Sequence, residues 1–80
     1  MSVCNSGDWV LLNKKDLPDR LFKYARVLHA QYHNSNASML ELYYGKEKRV
    51  LIISNRFIKH TVDPIMAQSA LVLHLLSINE

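Results

Sequence analysis

The chain has 80 residues, of which 49% are hydrophobic, with one cysteine and a formal net charge of +3. This length supports a single domain with a modest core, and the hydrophobic fraction is typical of a globular rather than a disordered protein. The lone cysteine excludes a disulfide within the chain, and no apolar run approaches the roughly 20 residues that a membrane-spanning helix needs. No secretory signal is visible at the N-terminus, so we expect a cytoplasmic protein in a reducing compartment, with no membrane partner.

The first residues differ in character from the rest of the chain. Residues 1–8 are mostly small and polar and are predicted to form a flexible N-terminal arm. Residues 9–80 are predicted to form a single α+β domain. It begins with the apolar segment 9–12, which is either a short strand or an arm packed against the core.

A first helix is predicted from Asp16 to about Tyr32 or His33. Acidic residues and Pro18 near its start suit the positive end of a helix. Apolar side chains recur at helical spacing along one face, at Leu17, Leu21, Tyr24, Ala25, Leu28 and Tyr32. The opposite face carries basic groups, namely Arg20, Lys23, Arg26, His29 and His33.

Three strands are predicted after this helix, at residues 38–44, 49–54 and 57–62. β-branched and aromatic residues are common in these segments, and turn residues separate them at 45–48 and 55–56. The strands are expected to form an antiparallel meander. Residues 57–62 alternate imperfectly, so a short helix or an irregular segment is an alternative for them.

A second helix is predicted over residues 63–77. Asp63 followed by Pro64 is a typical helix start. The carboxylate accepts hydrogen bonds from the unpaired N–H groups of the first turn, and proline has no N–H that would need a partner there. No charged residue occurs from Ile65 to Ser77. One face, predicted to pack on the core, consists of Ile65, Met66, Val72, Leu73 and Leu76 around Ser69. Leu71 and Leu75 lie on the far side of this helix.

The expected fold is therefore α+β: a two-layer sandwich in the order helix, three-stranded antiparallel meander, helix, with a short N-terminal strand or arm. The second strand is apolar on both sides, with Val50 and Ile52 on one and Leu51 and Ile53 on the other. Continuous apolarity of this kind is typical of a strand that is covered on both faces. Together with the apolar far side of the second helix, it indicates a partner surface.

Residues for catalysis or cofactor binding are sparse. The two glycines are far apart and form no phosphate-binding loop, and no serine lies in a nucleophile motif. His29 and His33 are four residues apart, but a structural zinc site needs four ligands and no cysteine pair accompanies them. We therefore expect no enzyme activity, no cofactor and no metal site.

The favoured hypothesis is a small non-enzymatic interaction or regulatory module that acts through homodimerisation or through binding of a protein partner. An apolar surface left on a small protein is best covered by another chain, and a two-fold dimer is the commonest way to do so. The predicted contact residues lie on the second helix and on the outer side of the first strand, and are Leu71, His74, Leu75, Met39 and Tyr43.

The alternative is an RNA- or DNA-binding module that uses the basic side of the first helix and the hairpin turn at 45–49. Its candidate residues are Arg20, Lys23, Arg26, Lys46, Lys48 and Arg49. The predicted order of helix, three strands and helix is similar to that of double-stranded-RNA-binding domains. The start of the final helix, however, lacks the lysines typical of that family. No motif assigns the chain to a family.

Overall fold

The computed structural model describes residues 4–32 and 36–78. Its elements are the strands β1 (Trp9–Leu12), β2 (Tyr24–His29), β3 (Ala37–Tyr44), β4 (Glu47–Ser54) and β5 (Ile58–Val62), and the helix α1 (Pro64–Ser77). Single 3₁₀ turns lie at Lys14–Asp16 and Asn55–Phe57. All five strands belong to one antiparallel sheet.

The sheet is strongly curled, as its connectivity requires. The strand order is β4-β3-β2-β1-β5, so β4 and β5 form its two edges. In a flat sheet these edges would lie about 19 Å apart, since neighbouring strands are about 4.8 Å apart. The chain goes from Ser54, the end of β4, to Ile58, the start of β5, in four residue steps, which reach at most about 14 Å. The two edges must therefore approach each other at this end.

Irregular pairing helps the strands to bend. The register shifts between Val27 and His29 in the β2–β3 pair and between Leu11 and Leu12 in the β1–β5 pair. A 3₁₀ turn leads from β4 into β5, which pairs with β1 at the other edge of the sheet. The topology alone assigns no function.

The core lies on the concave side of the sheet. Every strand except β4 contributes a buried side chain to the core cluster, which consists of Cys4, Val10, Leu12, Leu21, Ala25, Val27, Leu40, Leu42 and Ile58. The contribution of β3 to the core follows from the alternation of its side chains. Ser38, Leu40 and Leu42 point inward, while their neighbours are half-buried. The Ser38 hydroxyl donates to the side-chain oxygen of Asn55 at 2.7 Å and accepts from the backbone of Gln31. The buried hydroxyl is therefore satisfied.

The helix α1 packs on the opposite, convex side of the sheet. Its N-cap is Asp63, whose carboxylate accepts from the backbone N–H of Ile65, as the sequence predicts. Ala67 is its one fully buried residue among those described. Trp9 and Arg26, which are register partners on the convex side, line a groove with Leu71 of α1. No helix in the described ranges is long and apolar enough to cross a membrane.

The predicted first helix is wrong, and with it the fold of two helices on a three-stranded meander. Residues 24–29 form β2, the central strand, which pairs with β1 and β3. Ala25 and Val27 point into the core, whereas Arg26 and His29 are exposed. The alternation of a strand, not the helical spacing, therefore decides which side chains are buried. The similarity to double-stranded-RNA-binding domains depended on this predicted helix, so it no longer holds.

The predicted strands and their pairing had different outcomes. Strands are present at all three expected places, as β3, β4 and β5, and the segment 9–12 is a strand as well. The third predicted strand does not pair with the second, because β5 crosses to the other edge and pairs with β1. Asn55 and Arg56 belong to the 3₁₀ turn that makes this crossing possible, and not to a hairpin. The five-stranded sheet with a single C-terminal helix replaces the predicted sandwich.

Candidate functional site

The outward side of α1 is a continuous apolar surface. It consists of Ile65, Met66, Val72, Leu73 and Leu76, and we call it the α1 face. Between 41% and 75% of each of these residues is exposed. The spacing of four, three and four residues from Ile65 through Ser69 and Val72 to Leu76 places them along one stripe of the helix. The prediction that this side packs on the core is wrong.

The other side of α1 is held to the sheet by small and polar residues. Ala67, which has a small side chain, is fully buried on this side. His74 stacks on Phe22, with the ring centroids 4.5 Å apart, and its Nε2 lies 2.9 Å from the backbone oxygen of Gly45. The carbonyl oxygen can only accept, so Nε2 carries the hydrogen in this contact. His74 therefore fixes the end of α1 against the hairpin between β3 and β4.

The predicted protein-contact residues are divided between α1 and β3. Leu71, His74 and Leu75 are half-buried residues of α1. Met39 and Tyr43 are half-buried on the convex side of β3, and Tyr43 lines the same groove as Leu71. The structure thus brings Tyr43 and Leu71 together, and their role as contact residues stays a prediction.

The edge strand β4 carries a second exposed apolar surface. Val50, Leu51 and Ile52 are 53%, 43% and 54% exposed. Leu51 pairs with the buried Leu40 and so lies on the concave side, whereas Val50 and Ile52 lie on the convex side. The sequence predicts that both faces of this strand are covered, but in the described chain they are not.

Four of the six predicted nucleic-acid contacts converge at one end of the molecule. The guanidinium carbons of Arg20 and Arg49 lie 5.7 and 4.9 Å from the centre of the Tyr44 ring. Lys46 lines an open cleft of about 460 Å³ together with Arg20 and Tyr44. A neighbouring depression is lined by Lys23, again with Arg20. We call these four residues, Arg20, Lys23, Lys46 and Arg49, the basic cluster.

Acidic groups moderate the charge of this cluster. Glu47 and Arg49 form an ion pair at 2.8 Å, and its hydrogen bond lowers the pKa of Glu47 and raises that of Arg49. Lys48 lies 3.8 Å from Glu41, away from the cluster. Arg26 also lies elsewhere, in the groove beside Trp9. Two of the six predicted residues therefore do not join the others.

The residues that suggested other chemistry are dispersed. Among residues 4–32 and 36–78, no group of three His, Cys, Asp or Glu side chains is placed to hold a metal ion. His29 is exposed on β2, and His33 lies outside the described residues. Cys4 is part of the core, and burial raises the pKa of its thiol, although a hydrogen bond with Ser38 acts in the opposite direction. A thiol in this state is a poor nucleophile.

The sequence predicts the members of the α1 face as one apolar side of the helix, but the prediction that they pack on the core is wrong. A helix that is apolar all round has no polar side to mark the solvent, so periodicity cannot orient it. Ala67 and Ala70 were the available signal, because small side chains allow a helix to approach a sheet closely. Tyr44, the centre of the basic cluster, was missed as a site residue. No protein-family model, curated protein or solved structure matches the chain.

Proposed function

We propose that the protein is a small non-enzymatic interaction or regulatory module, which acts through self-association or by binding a protein partner at the α1 face. The observation that carries this proposal is the exposure of five large aliphatic side chains on one uncharged helix face. A contiguous exposed apolar patch on a small domain is typical of an interaction surface.

The free energy of burying the α1 face indicates how much a partner must contribute. Full burial of one large aliphatic side chain stabilises by about 1.5–3 kcal/mol, so covering this half-exposed set contributes roughly 6 kcal/mol. Association itself costs about 4–15 kcal/mol in lost freedom of motion. A stable complex therefore needs a partner that adds a comparable apolar surface of its own.

The shape of the α1 face indicates what kind of surface would fit it. Anchors at helical spacing are recognised by a hydrophobic groove or by another helix. Ser69, in the middle of the stripe, is small and lets a second backbone approach closely. Because α1 carries no charged side chain, shape and apolar area, not salt bridges, would decide which partner binds.

A photo-crosslinking residue tests this surface directly. When it replaces Leu73 in the full chain, irradiation of cells that make the protein should give one adduct of fixed mass. The mass distinguishes a second copy from another protein. The same residue at Lys59, which is exposed on β5, should give no such adduct.

A second variant ties the adduct to the apolar surface. Adding Leu76→Asp to the crosslinking chain should reduce the adduct about tenfold or more, because a carboxylate would be buried in the contact. Leu76 is 70% exposed, so the variant should stay folded. If position 73 gives no adduct, or if Leu76→Asp leaves its yield unchanged, the proposal is wrong.

A second candidate function is nucleic-acid binding through the basic cluster. It is favoured by one observation, the convergence of Arg20 and Arg49 on the Tyr44 ring beside an open cleft. Cationic side chains around an aromatic ring suit a phosphate backbone with an adjacent stacked base. The nearby Asp19 and Glu47 weaken this candidate, because they partly neutralise the cleft.

Salt dependence tests the second candidate. If the basic cluster binds RNA or DNA, affinity for a labelled single strand should fall steeply between 50 and 200 mM salt, since phosphate contacts release counterions. The charge reversal Arg20→Glu should weaken binding about tenfold or more, whereas Lys59→Glu on β5 should change it little. Absence of binding at low salt to both RNA and duplex DNA would exclude this function.

A further inference from the structure

β4 is the longer of the two edge strands in the described part of the molecule, and six of its eight residues are exposed. Among the described residues β3 is the one neighbour of β4 in the sheet, so no described strand lies beside the other edge of this eight-residue strand. Its central residues, Val50, Leu51 and Ile52, are all about half exposed. An edge of this kind presents free N–H and C=O groups, which another strand can pair with.

The second edge of the sheet is protected in a way that β4 is not. β5 has five residues, and its exposed positions are Lys59, His60 and Thr61. Polar and charged side chains on a short edge strand discourage pairing with another chain. The contrast assigns any strand addition to β4.

We propose that β4 pairs antiparallel with β4 of a second copy, so that the two sheets form one continuous sheet across a two-fold axis at Leu51. This inference does not depend on the α1 face. In this register the Leu51 residues of the two copies face each other on the concave side. Val50 of each copy faces Ile52 of the other on the convex side. Each exposed apolar side chain of the strand thereby gains an apolar neighbour.

Charge supports this register over its neighbours. Arg49 of one copy faces Ile53 of the other, and the two Arg49 residues are four positions apart along the sheet, or about 13 Å. That separation exceeds the screening length of about 8 Å at physiological salt. A pairing centred on Val50 would instead place Lys48 opposite Ile52, and one centred on Ile52 would place Val50 opposite Ser54 and Arg49 beyond the end of the other β4.

The proposed pairing also bears on the use of the α1 face. Two different self-complementary surfaces on one chain would link copies into an open chain instead of a closed dimer. If β4 takes a second copy, the α1 face is left for a different protein. Strand addition with main-chain hydrogen bonds and matched side chains is a known mode of specific association.

Mass measurement by light scattering after size exclusion tests the association. The full chain should have twice the mass of one copy. Ile52→Lys should weaken the dimer by about tenfold or more. Because the pairing is symmetric, this one substitution removes both apolar contacts between Ile52 and Val50. Ile52 is 54% exposed, so the variant should remain folded. The matched control Thr61→Lys, on the protected edge, should leave the mass unchanged.

Cysteine crosslinking tests the register. In a Cys4→Ala background, Leu51→Cys should form a disulfide between copies under mild oxidation, since residues on the two-fold axis face each other. Val50→Cys should not, because the two copies of residue 50 would lie about 8 Å apart, beyond the roughly 7 Å limit for a disulfide. Thr61→Cys controls for random collision. Equal crosslinking of all three variants would overturn the proposed register.

The same assays separate this inference from the proposed function. A monomeric full chain, or a dimer that Ile52→Lys does not weaken, would overturn the β4 pairing. If Leu73→Asp dissociates the dimer and Ile52→Lys does not, self-association occurs through the α1 face and the β4 pairing is wrong. If the cysteine variants do not fold, the masses of the native chain and of Ile52→Lys decide the question.

Discussion

Replacing Val27 with aspartate is expected to unfold the whole domain. Val27 is 1% exposed on the central strand and belongs to the core cluster. A carboxylate there would lose its hydration without gaining a partner, which costs about 4 kcal/mol or more. A chain of this length has a total stability of about 4–12 kcal/mol. The variant should therefore lose most or all of its folded population, measured as a lowered urea midpoint by circular dichroism.

His29→Asp is the matched control for this substitution. It places the same side chain on the same strand, but at an exposed position, so the urea midpoint should change little. The comparison also tests the fold itself. On the predicted helix Val27 was not part of the apolar face, and an aspartate there would have been tolerated. A folded Val27→Asp variant would contradict the position of β2 in the sheet.

The misplacement of β2 shows where local sequence patterns stop being informative. The segment 17–32 contains apolar residues at helical spacing, and residues 24–29 also contain an alternating pair at Ala25 and Val27. Both periods are present, and a six-residue strand offers too few repeats to choose between them. The choice is made by pairing with β1 and β3, whose partner residues lie between 10 and 17 positions away in sequence. Such non-local pairing leaves no local signal.

Elements with a strong local signature were predicted well. The Asp63-Pro64 start places α1, because the Asp63 carboxylate accepts from the N–H of Ile65 and Pro64 has no N–H that would need a partner. The hairpin between β3 and β4 follows from Gly45, which has a φ of +65° at the first turn position, where the type II′ turn takes glycine. A side chain at Gly45 would also lie within 3.0 Å of the Arg20 guanidinium. Arg20, in turn, reaches this hairpin through long-range contacts that no local pattern reveals.

The candidate site was predictable in its members but not in its orientation. The sequence marks the β4 residues and the α1 residues as apolar surface in excess of one small core. It cannot tell which side of an uncharged helix packs inward, because that depends on the sheet surface it meets. Here the convex side of the sheet accepts the small residue Ala67 and the His74 ring. The larger aliphatic side chains are consequently left outside, where a partner can cover them.

Replacing Ala67 with aspartate is expected to release α1 from the sheet while the rest of the domain stays folded. Ala67 is fully buried, and a carboxylate there would be desolvated against the sheet. The core cluster contains no residue of α1, so the strands can keep their packing without the helix. An isolated helix of 14 residues is marginal in water and should melt when released. Helical circular dichroism should fall, and amide protection in β2 and β3 should persist.

Trp9 reports this release, because it is the only tryptophan and lines the groove beneath α1 with Leu71. Its emission should shift to longer wavelength in Ala67→Asp, since loss of the helix exposes the indole to water. Leu73→Asp is the matched control: the same charge on the same helix, at a residue that is 68% exposed, should leave the emission unchanged. An unshifted Ala67→Asp spectrum, or an equal shift in both variants, would contradict this orientation of α1. The orientation matters for function, because the α1 face is available to a partner only when Ala67 and His74 hold the other side of the helix against the sheet.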